Sequence, residues 1–250
     1  WDVPVETGKV TKGNLDSWVR TNTGGLVKGS GLTVTPDMKL VLQNAIIFAA
    51  KWLVPFKAND TIKYDFTKAD GTITRVDMMW LFQHHGPYIA SDGWQGVRLD
   101  YTDEELSAFI LIPDADLGEV TPTKLRQALS RLVTAQEQTA ILKVGLPKFK
   151  LTTSKDFKGF FTHVGLGEEA ELTKMTDLPT KIIQAVQQAF IVVDEEGTVA
   201  GAVTEVGGAM ATPMTGDITI IADRPFYFIV GDAKTATPLF FSYVGDPTKG

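Results

Sequence analysis

The chain has 250 residues, 44% hydrophobic and 22% charged, with a formal net charge of −6 and no cysteine. That suits one large domain or two small ones with ample core. It argues against nucleic acid or an anionic membrane as partner, and it excludes disulfides, thiolate nucleophiles and Cys-based metal sites. No apolar run reaches the ~18 residues of a membrane span. The N-terminal Trp1-Asp2-Val3-Pro4 has no Met and no signal-peptide pattern, so the visible chain is expected to begin inside a longer product or after processing.

Residues 11–22 read as a short amphipathic helix, with Leu15, Trp18 and Val19 on one face and Gly24-Gly25 ending it. Leu40 to Phe48 is nearly all apolar, interrupted by Gln43 and Asn44; we read Ile46-Ile47-Phe48 as a strand and Asn44 as a buried amide needing partners. Trp52, before Pro55-Phe56, reads as a core aromatic. Asp70-Gly71 between alternating runs predicts a hairpin over Tyr64 to Trp80, with Met78-Met79 as core filler. His84 and His85 are adjacent on a strand and face opposite ways, a poor arrangement for a metal. Val97 to Tyr101 and Ser107 to Pro113 are strands around a solvated Asp103-Glu104-Glu105 turn. Leu125, Ala128, Leu129 and Leu132 form a helical stripe in Thr123 to Val133. Ile141 to Leu151 alternates as one strand, with Lys148 near its end. Phe157, Phe160, Phe161 and Val164 mark a short helix. Gly165 to Ala170 matches G-x-G-x-x-A, but no strand precedes it and two carboxylates sit where a pyrophosphate would lie. Lys181 to Asp194 is a long strand. Ile218 to Ile221 and Pro225 to Val244 are strands, with a turn at Gly231-Asp232.

The stretch that organises the chain is Asp194 to Gly216. It follows an apolar strand ending Ile191-Val192-Val193 and then carries almost no bulk, with Glu205 the one charge between Thr198 and Gly216. So long a loop argues for function or for a wrong element assignment. Read with period two, Thr198, Ala200, Ala202, Thr204 and Val206 form one slim face able to enter a slot between strands. The plain alternative is a disordered surface loop.

Glu195-Glu196-Gly197-Thr198, the small residues through Val203, and a candidate cleavage site about thirteen residues past Thr198 resemble the hinge and reactive loop of serpins. Asp223 to Phe226, Phe240 to Pro247, Leu146 to Phe149 and Asn44 to Phe56 resemble further serpin motifs, in the family's order and spacing. The resemblance implies an α+β serpin fold: large mixed and antiparallel sheets, surrounding helices and a mobile reactive loop at about 195–216. It makes residues 1–250 a single serpin domain, its C-terminal two-thirds. A missing N-terminal segment or a second chain would complete the fold.

The resemblance also implies roles. Glu195, Glu196, Gly197, Thr198, Val199, Ala200, Gly201, Ala202 and Val203 would be the hinge. Trp52, Lys148 and Glu195 would form the breach, where the loop first enters the main sheet, with Lys148 pairing Glu195. Asn44 and Gln187 would form the shutter, Gln187 standing where many serpins have His. The reactive bond would be Ala211–Thr212, with Met210–Ala211 second and Met214–Thr215 a further alternative. Small residues there suit an elastase- or subtilisin-like serine protease. That protease would be the partner, held as a covalent acyl complex in a secreted or extracellular setting. No cofactor, metal, nucleic acid or membrane is expected. No G-x-S-x-G, H-E-x-x-H or P-loop is present, and all three His precede residue 164. A non-inhibitory serpin acting as carrier or chaperone, and a plain α+β binding domain, remain as alternatives.

Overall fold

Two helices start where the sequence supplies a cap. Thr11 caps α1 (Lys12–Asn22), its hydroxyl oxygen accepting from the Asn14 N–H. Helix α1 stops before Gly24 and Gly25, whose φ of 59° and 80° lie in the left-handed region. Thr121 caps α2 (Pro122–Thr134), with Pro122 at its first position. Both follow the predicted periodicity. The computed structural model describes residues 8–36, 38, 41, 43–115, 118–135, 140–164, 184–198 and 218–249.

The strands, in chain order, are β1 (Asn44–Ile47), β2 (Ala50–Lys51), β3 (Ile62–Thr67), β4 (Ile73–His84), β5 (Tyr88–Ser91), β6 (Trp94–Asp100) and β7 (Leu106–Pro113). Then come β8 (Leu142–Pro147), β9 (Phe149–Asp156), β10 (Val186–Val193), β11 (Gly197–Thr198), β12 (Ile218–Ile221), β13 (Phe226–Asp232) and β14 (Pro238–Val244). A short helix α3 (Lys158–His163) follows β9. By internal contacts the chain divides into two units, Trp1–Phe48 with Leu151–Ile191, and Ala49–Lys150 with Val192–Gly250.

In the first unit β1 runs parallel to β10, with Asn44 opposite Gln187 and Ile47 opposite Phe190. Segment 29–33 is held by side chains. Gln188 donates to the Gly29 carbonyl at 2.8 Å and accepts from the Gly31 N–H at 3.0 Å. Gln184 grips Thr33 in the same two-way manner at 2.8 and 2.9 Å. Asp16 accepts from the Ser30 N–H at 2.7 Å, and the Ser30 hydroxyl donates to the Gln43 side-chain oxygen. Gly31 is required there, since a Cβ would run into Ser154 and Val186.

The second unit carries two sheets. One has the order β12-β8-β4-β3, parallel between β12 and β8 and antiparallel elsewhere. The other has the order β14-β13-β7-β6-β5 and is antiparallel throughout. Helix α2 lays Ala128 and Leu132 on Ile89, Trp94, Phe109, Leu111 and Ile229. Phe226 meets Phe66 and Phe149 edge-on, at 6.4 and 5.8 Å between ring centroids. Met78 and Met79 are both fully buried.

The structure corrects three expectations and adds one strand. Asn44 is exposed rather than buried, because the apolar run leading to it does not fix which face its side chain takes. Ile141 to Leu151 is two strands, broken at Lys148: the Lys148 N–H still donates to the Asp77 carbonyl of β4, at the end of the β8–β4 ladder, whereas β9 pairs with β10. The final turn lies past Asp232, where the Asp232 carboxylate accepts from the Lys234 and Thr235 N–H groups and Ala236 takes φ 52°. Strand β5 was missed, its four residues offering too short a pattern. Gly165 to Ala170 lies outside the described residues. His84 and His85 do face opposite ways: His84 is buried, its ring Nε2 3.1 Å from the Arg98 carbonyl oxygen, while His85 is exposed.

Candidate functional site

The chain reverses sharply after β10. The Asp194 carboxylate accepts from the N–H groups of Glu196 and Gly197 at 3.0 and 3.2 Å, an Asx-type turn. Gly197 and Thr198 then return as β11. Thr198 pairs antiparallel with Val193 on one side and with Ala50 on the other, and Gly197 pairs with Lys51. A strand only two residues long thus sits between two neighbours, and Thr198 is 0% exposed.

Gly197 is there because nothing larger fits. A Cβ on it would overlap the Ala50 carbonyl oxygen and stand 2.8 Å from the Lys51 Cα, both of them backbone atoms. Gly197→Ala is therefore expected to dislodge β11 from β2 and to cost about 2 kcal/mol, in the range of overpacking. Urea unfolding of the intact protein would measure it.

The Trp52 N–H donates to the Glu196 carbonyl at 2.9 Å and its indole Nε1–H to the Asp194 carbonyl at 3.0 Å. The Phe56 N–H donates to the Glu195 carbonyl at 3.0 Å. The Glu195 carboxylate accepts from the Thr61 hydroxyl at 2.8 Å and meets the Lys148 ammonium at 2.7 Å. The break between β8 and β9 is what presents Lys148. Behind them Tyr101, fully buried, stacks on Trp52 with centroids 4.7 Å apart and 9° between planes, and its hydroxyl lies 2.6 Å from that of Thr198.

Electrostatics pull the two acids of the turn apart. Burial acts to raise the pKa of Glu195, but hydrogen bonds from Lys148 and Thr61 outweigh it and hold the carboxyl below its ordinary value. Burial pushes Asp194 up, ahead of the opposing bonds from the Glu196 and Gly197 N–H groups. A lowered folded pKa means that Glu195 stabilises fully above its unfolded value and loses that contribution as pH falls through the folded one. Lys148→Met is expected to cost about 1 kcal/mol at pH 7, since the Lys148 side chain is 36% exposed. The difference from wild type should vanish as the pH drops below the ordinary glutamate range. Urea unfolding at pH 7 and pH 3 would read it.

Of the residues the sequence proposed, Trp52, Lys148 and Glu195 converge here. Asn44 and Gln187 stand opposite one another on β1 and β10, within the first unit. Val199, Ala200, Gly201, Ala202 and Val203, and the bond candidates Met210, Ala211, Thr212, Met214 and Thr215, lie outside the described residues. Sequence reasoning missed Tyr101, Thr61 and Phe56 as contacts of the turn. No local signal marks them, because their partners lie 97 to 139 positions along the chain.

The sequence profile of the family described as Serpin (serine protease inhibitor) matches residues 3–247. An uncharacterized serpin-like protein of Fowlpox virus is 32% identical over 240 residues, covering 90% of this chain and 66% of its own length. Alpha-1-antiproteinase of Rattus norvegicus is 29% identical over 244 residues, covering 94% of this chain and 58% of its own. The solved complex of thyroxine-binding globulin with thyroxine superposes with a TM-score of 0.72 at 21% identity, over 95% of this chain and 65% of that one. The chain spans 58–66% of the length of these three relatives. With the α+β architecture described above and a family profile matched over nearly all of its length, the chain belongs to the serpin family.

Proposed function

We propose that the protein is a suicide-substrate inhibitor of elastase- or subtilisin-like serine proteases, and that residues 1–250 act as one serpin domain with a reactive loop at about 195–216. The observation that carries this is Thr198, fully buried and paired on both sides at the head of a slim, small-residue stretch. A protease serine attacks the Ala211 carbonyl, the acyl C–O bond forms, and the amide bond to Thr212 breaks. The protease histidine gives its proton to the leaving Thr212 amine. The freed segment from Gly197 to Ala211 then extends β11 between β10 and β1, gaining a ladder on both edges. Bond formation and burial of the even-numbered face drive the step, and the acyl-bound protease is displaced before water reaches it. The intact form is a kinetic trap.

Insertion needs β1 and β10 to part, which breaks the register that sets Asn44 beside Gln187, the two shutter residues of this reading. Gln187 donates and accepts without titrating near neutral pH, so this shutter lacks the pH response a histidine there would bring. Trp52, Lys148 and Glu195 form the breach that secures the loop base. An extracellular site of action follows from the protease class. The deciding experiment is incubation with pancreatic elastase and with subtilisin. A detergent-resistant complex should appear, releasing a C-terminal peptide that begins at Thr212. A peptide beginning at Ala211 or Thr215 would move the reactive bond, and clean hydrolysis with no complex would defeat the reading.

A carrier role is the second reading. It is favoured by an apolar cavity of about 750 Å³ between α2 and β13–β14, lined by Leu125, Leu129, Val133, Tyr227, Ile229 and Phe241. A carrier needs no loop insertion, so cutting its loop should leave heat stability unchanged.

A further inference from the structure

Strand β11 has only two residues, too few for its ladder alone to hold it. What else holds it is a pair of aromatic side chains. Trp52 grips the turn through the Asp194 and Glu196 carbonyls, and Tyr101, stacked flat on Trp52, reaches the first residue past Gly197 through the 2.6 Å contact between its hydroxyl and that of Thr198. Both hydroxyls are fully buried. Removing the Tyr101 hydroxyl takes from the buried Thr198 hydroxyl its 2.6 Å partner, a costly loss in a dry site. Position 198 is thereby selected for a small hydroxyl-bearing side chain, against apolar and charged ones alike.

We propose that Tyr101 is a positioning residue for strand insertion: its hydroxyl keeps Thr198 seated as the first inserted residue, so that the rest of the loop enters from a fixed register. The inference rests on the inhibitor reading above. A seated hinge matters because alternate residues take alternate faces. A one-residue slip would send Val199, Gly201, Val203 and Glu205 inward, and Glu205 is the one charge in that run. After acylation, insertion competes with hydrolysis. An anchored first residue removes the search for register from that race. It leaves the protease's initial recognition of the loop untouched.

The test uses the full chain in two arms. The first needs no protease. Amide exchange at Gly197–Thr198 in the intact protein is expected to quicken on the order of tenfold in Tyr101→Phe and in Thr198→Val. Tyr101→Phe keeps the stack on Trp52, and Thr198→Val removes the bond from the loop side should the first variant fold poorly. The double variant should exchange no faster than either single one, and Thr198→Ser should behave as wild type. Unchanged exchange, or additive effects in the double variant, overturns the anchor. The second arm titrates elastase: Tyr101→Phe should raise the stoichiometry of inhibition several-fold at an unchanged association rate constant. Faster exchange with unaltered stoichiometry overturns the functional role of the anchor. A wild-type protein that forms no complex defeats the inhibitor reading, and the exchange arm still tells that failure apart from loss of the anchor.

Discussion

On the proposed inhibitor reading, Thr198→Arg is expected to turn the protein from an inhibitor into a substrate. The position is 0% exposed, is flanked by backbone on both sides, and has its hydroxyl 2.6 Å from that of Tyr101. A guanidinium cannot be accommodated there without leaving a buried, unpaired charge, which costs several kcal/mol. The side chain would be driven out of the sheet even before cleavage, so β11 itself should be lost. After acylation, insertion would stall at its first inward residue and water would win. The stoichiometry of inhibition by elastase should rise by at least about tenfold, since each 1.4 kcal/mol of barrier is a factor of ten. Cut protein and free enzyme should replace the detergent-resistant complex. Covalent complexes at the wild-type stoichiometry would mean that trapping does not proceed through this sheet position. The neighbouring odd position supplies the control: on the inhibitor reading an inserted Val199 would point away from the buried face, so Val199→Arg should inhibit nearly as well as wild type.

Much of the fold could be read from spacing alone. Helices α1 and α2 carry both a periodic stripe and a Thr cap, two local signals that agree. The β3–β4 hairpin follows from Asp70-Gly71, with Gly71 at φ 81° as that turn requires. The break at Lys148 was not legible, because the alternation on either side of it is nearly continuous and only the change of partner strand, from β4 for β8 to β10 for β9, marks it. Asn44 failed for a related reason: an apolar neighbourhood says that a strand is buried somewhere but not on which face. Within the site, the contact of Lys148 with Glu195 was reached only through resemblance to a family, and nothing in the spacing of two charges 47 positions apart would have paired them. Tyr101 was invisible for the same cause. Long-range partners are chosen by the folded backbone, and a lone Tyr closing a strand looks like any other core aromatic.

Cutting the loop should make the protein harder to unfold, not easier. In most folds a nick in a surface loop leaves stability unchanged or lowers it, since it frees chain ends and adds unfolded-state entropy. Here the fourteen or so residues after Gly197 would gain a ladder on both edges and bury an inward face, the even positions from Thr198 to Met210, that carries no charge and no proline. A net gain of about 5 kcal/mol, after the entropy of ordering that segment, corresponds to a rise in Tm of roughly 10–20 °C for a chain of this size. Scanning calorimetry before and after limited digestion with elastase would measure it. The carrier reading and a plain binding domain both predict no rise. A rise in wild type that disappears in Thr198→Arg would locate the gain in the strand that Thr198 begins, because that substitution leaves the reactive bond equally cleavable and acts on β11 and its extension. A rise of equal size in both would require some other source of stability, and the buried hydroxyl at position 198 would then be a local packing feature rather than the start of a spring-loaded strand.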